Sequence, residues 1–276
     1  MKTVEVFYRP DNKRAPEWAD KISKFIEERY KDWKVVQREP DVLIVLGGDG
    51  TILDATRKYS RKKPIILGLN LGHVGFLASV RDPKDFLDGL DRFFKGKYKI
   101  SPRMMMSAKV YRDGKAIFET KSLNDVSIEN ISGMVEISVR IEGQEVQYIR
   151  GTGVLVSTAT GSTAYNMSAH GPIVMPDIKC FILSEVMDHN IPTPSIVIKR
   201  DREIHLKVID FREKGIFSLS STGLKCDVIF RADGENFCIL KKGDEVVIKR
   251  SPALVNFAEL QDTYFFKSLH EKFGFR

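Results

Sequence analysis

The chain has 276 residues, of which 42% are hydrophobic, and this is enough for a substantial core. Its 44 Lys and Arg against 37 Asp and Glu give a formal net charge of +7. The basic residues are spread along the chain and not gathered on one element with stacking aromatics, which disfavours nucleic acid as a partner. Cys180, Cys226 and Cys238 lack CxxC spacing and are odd in number, so we expect no structural metal and no disulfide framework. We see neither the apolar core of a signal peptide nor a membrane span, and we therefore expect a cytoplasmic protein with no membrane partner.

Strand and helix patterns alternate over the first hundred residues. Apolar runs predict strands at 4–8, 42–46 and 64–69. Apolar spacings of three and four predict helices at 16–30 and 52–59, and a third that starts at Asp82-Pro83 and ends near Gly96. This alternation predicts a parallel sheet flanked by helices.

Beyond Tyr98 apolar residues recur at every second position, which predicts strands. Asp113-Gly114 and Glu142-Gly143 supply turns between them. A C-terminal helix is predicted at 263–273. We therefore predict an α/β domain at 1–98, onto which the C-terminal segment 257–276 packs back, and a β-rich domain at 99–256.

The segment 47–51 reads Gly-Gly-Asp-Gly-Thr and lies between the strand 42–46 and the helix 52–59. Three glycines within four residues let the backbone take positive φ and approach a ligand, and the next helix would direct unpaired N–H groups at an anion. A carboxylate in such a nest, Asp49, indicates a metal ligand or a proton acceptor. The alternative is a plain turn in which Asp49 caps the helix.

A second glycine-rich loop, Asn-Leu-Gly-His-Val-Gly-Phe-Leu at 70–77, follows the next strand. In doubly wound sheets ligands bind outside the carboxyl ends of strands, so the two loops are expected to face one crevice. The alternative is ordinary turn chemistry at Gly72 and Gly75, with His73 exposed.

A third segment, 151–168, begins as a β run and continues into small and hydroxyl-bearing residues that would suit a ribose or a phosphate. Tyr165 would stack on a base. The alternative is a strand end that caps a helix at Thr163, with Tyr165 in the core.

No G-x-G-x-x-G follows a strand and no G-x-x-x-x-G-K-[ST] occurs, which disfavours an ordinary Rossmann dehydrogenase and a P-loop NTPase.

Taken together, these segments resemble the NAD kinase family. Its members carry, in this order, a GGDGT loop, an N-x-G-x-x-G-F-L loop, an Asn-Glu pair and a T-P-T-G-S-T-A-Y segment. The matching stretches here are 47–51, 70–77, Asn124-Asp125 and 158–165. GGDGT alone is shared with lipid kinases and phosphofructokinases, whereas the ordered set is far more specific and covers most of the chain.

The resemblance implies a fold with an α/β N-terminal domain and a β-rich C-terminal domain. It also implies transfer of the ATP γ-phosphoryl group to the 2′-hydroxyl of the adenosine ribose of NAD, which makes NADP. ATP is the expected donor, with polyphosphate as the alternative, and Mg²⁺ would accompany ATP. A homodimer or homotetramer is expected by the same resemblance.

The resemblance also assigns residues. Asp49 would accept the proton of the acceptor hydroxyl, Asn124 and Asp125 would bind ribose hydroxyls, and the adenine side would be formed by Thr163, Ala164, Tyr165 and Ser168. The other nucleotide-binding candidates are Gly47, Gly48, Gly50, Thr51, Asn70, Gly72, Phe76, Arg150, Thr152, Thr160, Asn166, Met167 and Glu235.

The region 184–195 fits the family pattern poorly, with Thr193-Pro194-Ser195 where Arg-Pro-Leu is common, and four single positions also depart from the pattern. Thr152 stands in place of the Asp of the family's Arg-x-Asp-Gly, and His170 stands in place of the first Gly of its Gly-Gly-Pro. Asp125 stands in place of the Glu of the Asn-Glu pair, and Glu235 in place of the Gln of Asp-Gly-Gln. Thr152, His170 and Glu235 motivate one alternative, a related kinase that phosphorylates a different hydroxyl. The other alternative is a nucleotide-binding sensor without turnover, which the retained Asp49 disfavours.

Overall fold

The computed structural model describes residues 1–60, 62–72, 75–188, 193–215, 217–218, 223, 225–261 and 264–274, and at 236 and 237 it describes the backbone alone. The α-helices are α1 (Ala15–Arg29), α2 (Asp49–Lys58), α3 (Phe86–Phe94), α4 (Tyr165–Ser168) and α5 (Tyr264–Phe273). The strands are β1 (Lys2–Tyr8), β2 (Trp33–Val35), β3 (Val42–Leu46), β4 (Ile65–Leu69), β5 (Lys99–Arg112), β6 (Lys115–Ser122), β7 (Asp125–Asn130), β8 (Val135–Ile141), β9 (Gln144–Thr158), β10 (Cys180–Asp188), β11 (Ile196–Lys199), β12 (Ile204–Phe211), β13 (Phe217–Ser218), β14 (Lys225–Cys226), β15 (Val228–Ala232), β16 (Asn236–Leu240) and β17 (Glu245–Glu259).

The chain forms two compact units. The first unit comprises residues 1–103 and 253–276, and the second comprises residues 104–252. The strands β5 and β17 therefore contribute residues to each unit.

The first unit is built on a parallel sheet in the order β2-β1-β3-β4, and the end of β17 pairs with β4. Every residue of β3 is buried, as expected for a central strand that is covered on both faces. Helix α1 buries Ala15, Ala19, Ile22 and Ile26 at spacings of three and four, which places one apolar stripe against the sheet. Full burial of an isoleucine such as Ile22 stabilises the fold by about 1.5 to 3 kcal/mol.

Asp82 and Pro83 begin the segment that leads into α3. The Asp82 side chain accepts a hydrogen bond from the Lys84 N–H at 3.0 Å, and a 3-10 turn at Pro83–Asp85 follows. Helix α3 then ends just before Gly96, which has φ of +74°. The predicted start and end of this helical segment are confirmed.

The second unit is antiparallel, with β16-β15-β7-β9-β8-β12-β17 in this order, and β10 and β11 extend from β9. Both predicted turns are present, because Asp113, Gly114, Glu142 and Gly143 all have positive φ. The predicted fold class, a parallel α/β part and a β-rich part, is confirmed. Within the described ranges, no helix is long and apolar enough to cross a membrane.

Candidate functional site

The loop 47–51 joins β3 to α2. Gly47 has φ of +154°, and a Cβ added there would lie 2.4 Å from Thr51 Oγ1. Gly47 is the only one of the three loop glycines with positive φ. Gly48 is the N-cap of α2 and is extended, with φ of −87° and ψ of −174°, while Asp49 and Gly50 already belong to the helix. The loop therefore needs glycine chiefly at Gly47.

Asp49 does not cap its helix. Its Oδ2 accepts a hydrogen bond from the Phe76 N–H at 2.8 Å, and its Oδ1 accepts one from the Leu77 N–H at 3.2 Å. A Cβ added at Gly75 would lie 2.1 Å from Asp49 Oδ1, so the backbone of the second loop approaches the carboxylate closely. The carboxylate is fixed in place by backbone donors from another loop, and the capping alternative is wrong.

The loops 47–51 and 70–77 leave one edge of the sheet. β3 and β4 are parallel with Leu46 opposite Leu69, and the Gly47 N–H donates to the Leu69 carbonyl at 3.0 Å. The loops therefore meet at the carboxyl ends of their strands, and that they face one ligand crevice stays a prediction. His73, whose exposure was left open, and Val74 lie outside the described residues.

The other candidates of this unit differ in exposure. Asn70 is buried, and its Oδ1 accepts a hydrogen bond from the N–H of the exposed Gly72 at 3.0 Å, which folds the loop back on itself. Thr51 is a buried residue of the first turn of α2. The Phe76 ring packs against α5, with ring centroids 6.0 Å from Phe265 and 6.2 Å from Phe273. The side chain of Phe76 is thus used for packing and its N–H for Asp49.

The second unit holds the Asn124-Asp125 pair at the start of β7. The Asp233 carboxylate accepts N–H hydrogen bonds from Leu123 at 3.0 Å, Asn124 at 2.8 Å and Asp125 at 3.3 Å. It also accepts the Ser122 hydroxyl at 2.5 Å. One carboxylate therefore determines the path of the chain through the pair.

Both side chains of this pair lie in a buried, acidic environment. Burial, together with the charges of Asp233 and Glu129, raises the pKa of Asp125 to about 7, although a hydrogen bond from the Tyr165 N–H opposes the shift. The side-chain oxygen of Asn124 is buried and has no hydrogen-bond partner among the described residues. A buried acceptor without a partner is costly unless a ligand satisfies it.

The segment after β9 packs directly on this pair. The Thr158 N–H donates to the Asn124 carbonyl at 2.8 Å, and the Thr158 hydroxyl donates to the Leu123 carbonyl at 2.6 Å. A buried 3-10 turn at Thr160–Thr163 follows, in which the Thr163 hydroxyl donates to the Thr160 carbonyl at 3.4 Å. The segment and the Asn124-Asp125 pair thus form one hydrogen-bonded set.

Helix α4 comes next and has Ala164 as its N-cap, with no side-chain cap, so the alternative of a helix capped by Thr163 is wrong. Tyr165 is half-buried, and its hydroxyl donates to Glu129 Oε2 at 3.1 Å. Burial, reinforced by the charge of Glu129, raises the pKa of Tyr165 to about 12. Ala164 and Met167 are half-buried and Ser168 is exposed.

Asn166 is fully buried, and its carboxamide bonds to protein groups. Nδ2 donates to the Ser162 carbonyl at 3.4 Å and to the Pro172 carbonyl at 3.1 Å, while Oδ1 accepts the Ser184 hydroxyl at 2.9 Å. The side chain of Asn166 therefore holds α4 against the chain that follows it.

Three candidates lie elsewhere in this unit. Arg150 is exposed and its Nε is 3.3 Å from Glu136 Oε1. Thr152 is half-buried on β9 between two buried glycines. Glu235 is exposed and follows the turn of Asp233 and Gly234, both of which have positive φ.

Sequence reasoning did not select two functional candidates, Asp233 and Glu129. Glu129 lies on the face of β7 that carries Asp125 and Ser127, and the Ser127 hydroxyl donates to Glu129 Oε1 at 2.5 Å. The alternation of side chains along a strand would have placed Glu129 on that face. Asp233 carried only a turn signal, Asp-Gly, which gives no indication of its partners 110 residues away.

No group of three or more His, Cys, Asp or Glu side chains is arranged to hold a metal ion in the part of the chain that the structure describes. A parallel α/β unit with an acid in a glycine-rich loop at the start of a helix is typical of a nucleotide-dependent phosphotransferase.

Comparison with known proteins gives the family. The model of the ATP-NAD kinase N-terminal domain matches residues 4–98, and that of the ATP-NAD kinase C-terminal domain matches residues 123–260. A curated NAD kinase of Lachnospira eligens is 32% identical over 88% of this chain and 83% of its own length. The chain therefore belongs to the NAD kinase family.

Two solved structures are similar in fold. An NAD kinase from Archaeoglobus fulgidus in complex with ATP has a TM-score of 0.76 and 25% identity, over 99% of this chain and 98% of that chain. The yeast NADH kinase complexed with NADH has a TM-score of 0.87 and 20% identity, over 100% of this chain and 88% of that chain. The predicted family, fold and enzyme class, an ATP-dependent NAD kinase, are confirmed.

Proposed function

We propose that this chain transfers the γ-phosphoryl group of ATP to the 2′-hydroxyl of the adenosine ribose of NAD, with Asp49 as the proton acceptor. The observation that carries the proposal is the fixed Asp49 carboxylate, which two backbone N–H groups hold in the phosphate-binding loop. Phosphoryl transfer depends mainly on positioning and on charge stabilisation, and both need a rigid site.

In this proposal the first unit, including its C-terminal helix, binds phosphate and the second binds the dinucleotide. The N–H groups at the first turn of α2 face the phosphates, with Gly47, Gly48, Gly50 and Thr51 as the loop and Asn70, Gly72 and Phe76 as its support. Asn124 and Asp125 bind ribose hydroxyls, and the unpartnered oxygen of Asn124 supports this role.

The adenine side is formed by Thr163, Ala164, Tyr165, Met167 and Ser168, while Thr160 and Asn166 hold that segment in place. Thr152, Arg150 and Glu235 contact the remainder of the dinucleotide.

The donor is MgATP in this proposal. Magnesium that accompanies a nucleotide is usually held by one or two carboxylates together with the phosphates, so no cluster of three protein ligands is required. The protein acts in the cytoplasm as a homodimer or homotetramer.

The test is to incubate purified protein with MgATP and either NAD or NADH and to follow NADP(H) formation. Product from NAD supports the proposal. ATP consumption only with another hydroxyl acceptor would instead support the related kinase, and NAD binding without turnover would support the sensor. Replacing MgATP by polyphosphate tests the donor, and size-exclusion chromatography with light scattering tests the oligomer.

A further inference from the structure

The proposed function gives no role to Arg9, the residue that follows β1. β1 and β3 are parallel with Tyr8 opposite Leu46, so Arg9 and Gly47 are the residues that immediately follow two adjacent strands at the same edge. In open α/β sheets this edge is where ligands bind. Arg9 therefore leaves the sheet at the edge from which the phosphate-binding loop arises.

The guanidinium of Arg9 lies against the first turn of α2. A Cβ built on Gly50 would be 3.8 Å from Arg9 Nη1 and 3.9 Å from Nη2. Gly50 is an exposed residue of that turn, where helix N–H groups have no partner within the helix. A cation and the positive end of the helix are thus side by side, and a phosphate bound beside them would interact favourably with both.

Two residues of α2 fix the direction of Arg9. The Asp54 carboxylate accepts hydrogen bonds from Arg9 Nε and from Arg57 Nη2. Burial of Asp54 opposes its ionisation, but the hydrogen bonds from Arg9 and Arg57 outweigh this effect and lower its pKa. The Arg9 side chain retains 35% exposure, so it reaches the surface beside the loop and is not sealed in the core.

The chemistry of arginine suits a triphosphate. Its planar fork of N–H donors matches phosphate oxygens and keeps its charge at any working pH. Asp49, in the loop 47–51, places a negative charge beside the incoming phosphates. A nearby cation such as Arg9 offsets the repulsion between this carboxylate and the phosphates.

We propose that Arg9 binds the phosphates of the ATP donor beside the first turn of α2, and that Asp54 positions it. The inference rests on the proposed function, because it assigns the phosphates at this loop to the donor and not to NAD. The competing explanation is that Arg9 only ties β1 to α2 through Asp54.

The test compares Arg9→Gln and Arg9→Lys with a matched control, Arg38→Gln. Arg38 is an exposed arginine of the same unit and precedes the amino end of β3, at the opposite edge of the sheet. Binding of MgATP and of NAD is measured separately by calorimetry, and KM, kcat and the melting temperature are measured for each variant. Asp54→Asn is added as the positioning variant.

We expect Arg9→Gln to raise the Kd for MgATP by about 10-fold or more, as loss of hydrogen bonds to a charged group predicts. Binding of NAD should stay unchanged, Arg9→Lys should restore part of the affinity, and Arg38→Gln should match the wild type. Asp54→Asn should raise the KM for MgATP with a smaller effect on kcat. If Arg9→Gln does not fold, the comparison of Arg9→Lys with the wild type decides.

Unchanged MgATP affinity in folded Arg9 variants would overturn the inference, and so would a loss confined to NAD binding. These outcomes leave the proposed function intact if the wild type still forms NADP. Conversely, a wild type that forms no NADP, but whose MgATP affinity depends on Arg9, would overturn the proposed function and support the inference.

Discussion

The Asp49 carboxylate accepts a hydrogen bond from the Phe76 N–H at 2.8 Å, across 27 positions of sequence. The position of this carboxylate therefore depends on the loop after the next strand. Any change that moves the second loop should act on the chemistry as strongly as a change in the first.

Replacing the acid should separate catalysis from folding. We expect Asp49→Asn to lower kcat by about 100- to 10,000-fold, the usual contribution of a general base. The variant should remain folded, since the amide oxygen can still accept one N–H and the mismatch with the other costs about 1 to 3 kcal/mol. Steady-state NADP formation and thermal melting measure the two effects. Asp20→Asn, an exposed carboxylate on α1, serves as the control, and near-normal turnover of Asp49→Asn would remove the acid from the mechanism.

Gly75 tests the close approach of the second loop. In Gly75→Ala the new methyl group would overlap Asp49 Oδ1 at 2.1 Å and must displace the carboxylate. We expect kcat to fall at least 10-fold and stability to fall by about 1 to 3 kcal/mol, as is usual for overpacking. In Gly133→Ala the nearest atom is Nζ of the flexible Lys214, 3.4 Å away, so this variant should behave like the wild type. Equal activities of the two variants in kinetic assays would contradict the placement of Asp49.

Asp233 should matter for the dinucleotide side. Asp233→Ala removes the acceptor for three backbone N–H groups, and we expect stability to fall by about 2 to 5 kcal/mol and the KM for NAD to rise. Urea unfolding and initial rates over a range of NAD concentrations measure both effects. Asp201→Ala, in which an exposed acid 2.8 Å from Lys199 is lost, should change stability by less than about 1 kcal/mol. A KM for NAD that stays at the wild-type value in Asp233→Ala would show that Asp233 does not support NAD binding through the Asn124-Asp125 pair.

Asp125 should make stability depend on pH in a predictable direction. Its pKa is 3.8 in an unconstrained chain and about 7 in the folded protein. Between these values the unfolded chain has lost the proton and the folded chain has kept it, so this group destabilises the fold as pH rises from about 4 to about 7 and no further above that. The total is on the order of 4 kcal/mol at most.

Asp125→Asn removes this contribution. The stability of the variant relative to the wild type should therefore increase from about pH 4 to about pH 7 and then level off. Urea unfolding of both proteins at several pH values measures the difference and cancels the other titrating groups. A difference that does not vary with pH would mean that Asp125 ionises normally in the folded state.

Helices and strands were predicted correctly where the local pattern of apolar residues determines them. The apolar run 42–46 is a strand with the predicted bounds, and the amphipathic pattern at 16–30 differs from α1 by one residue at each end. The short strand β2 and the full length of β17 were missed, because three residues carry too little pattern and Pro252 interrupts the alternation. For the helix predicted at 52–59, the apolar pattern placed the start too late, since Asp49 is itself helical.

Hydrogen bonds between residues that are distant in sequence could not be predicted from local sequence patterns. The meeting of the loops 47–51 and 70–77 was predictable from the rule for parallel strands, but the hydrogen bonds to Asp49 depend on how close Gly75 comes. The contacts of Asp233 with residues 122–125 join segments more than 100 positions apart, and no local pattern encodes them. The roles assigned to the site residues stay predictions.

The first unit is interrupted in sequence, since the chain leaves it after Arg103 and returns at Ala253. On the ribosome, the residues that extend its sheet beside β4 and pack on Phe76 are therefore made after the whole second unit. The second unit is continuous and can fold while the first still exposes the edge of β4 at Ile65 and Ile66, which is a template for pairing with other chains. The order of synthesis thus leaves the first unit incomplete until the second has been made, and there we expect chaperones to act.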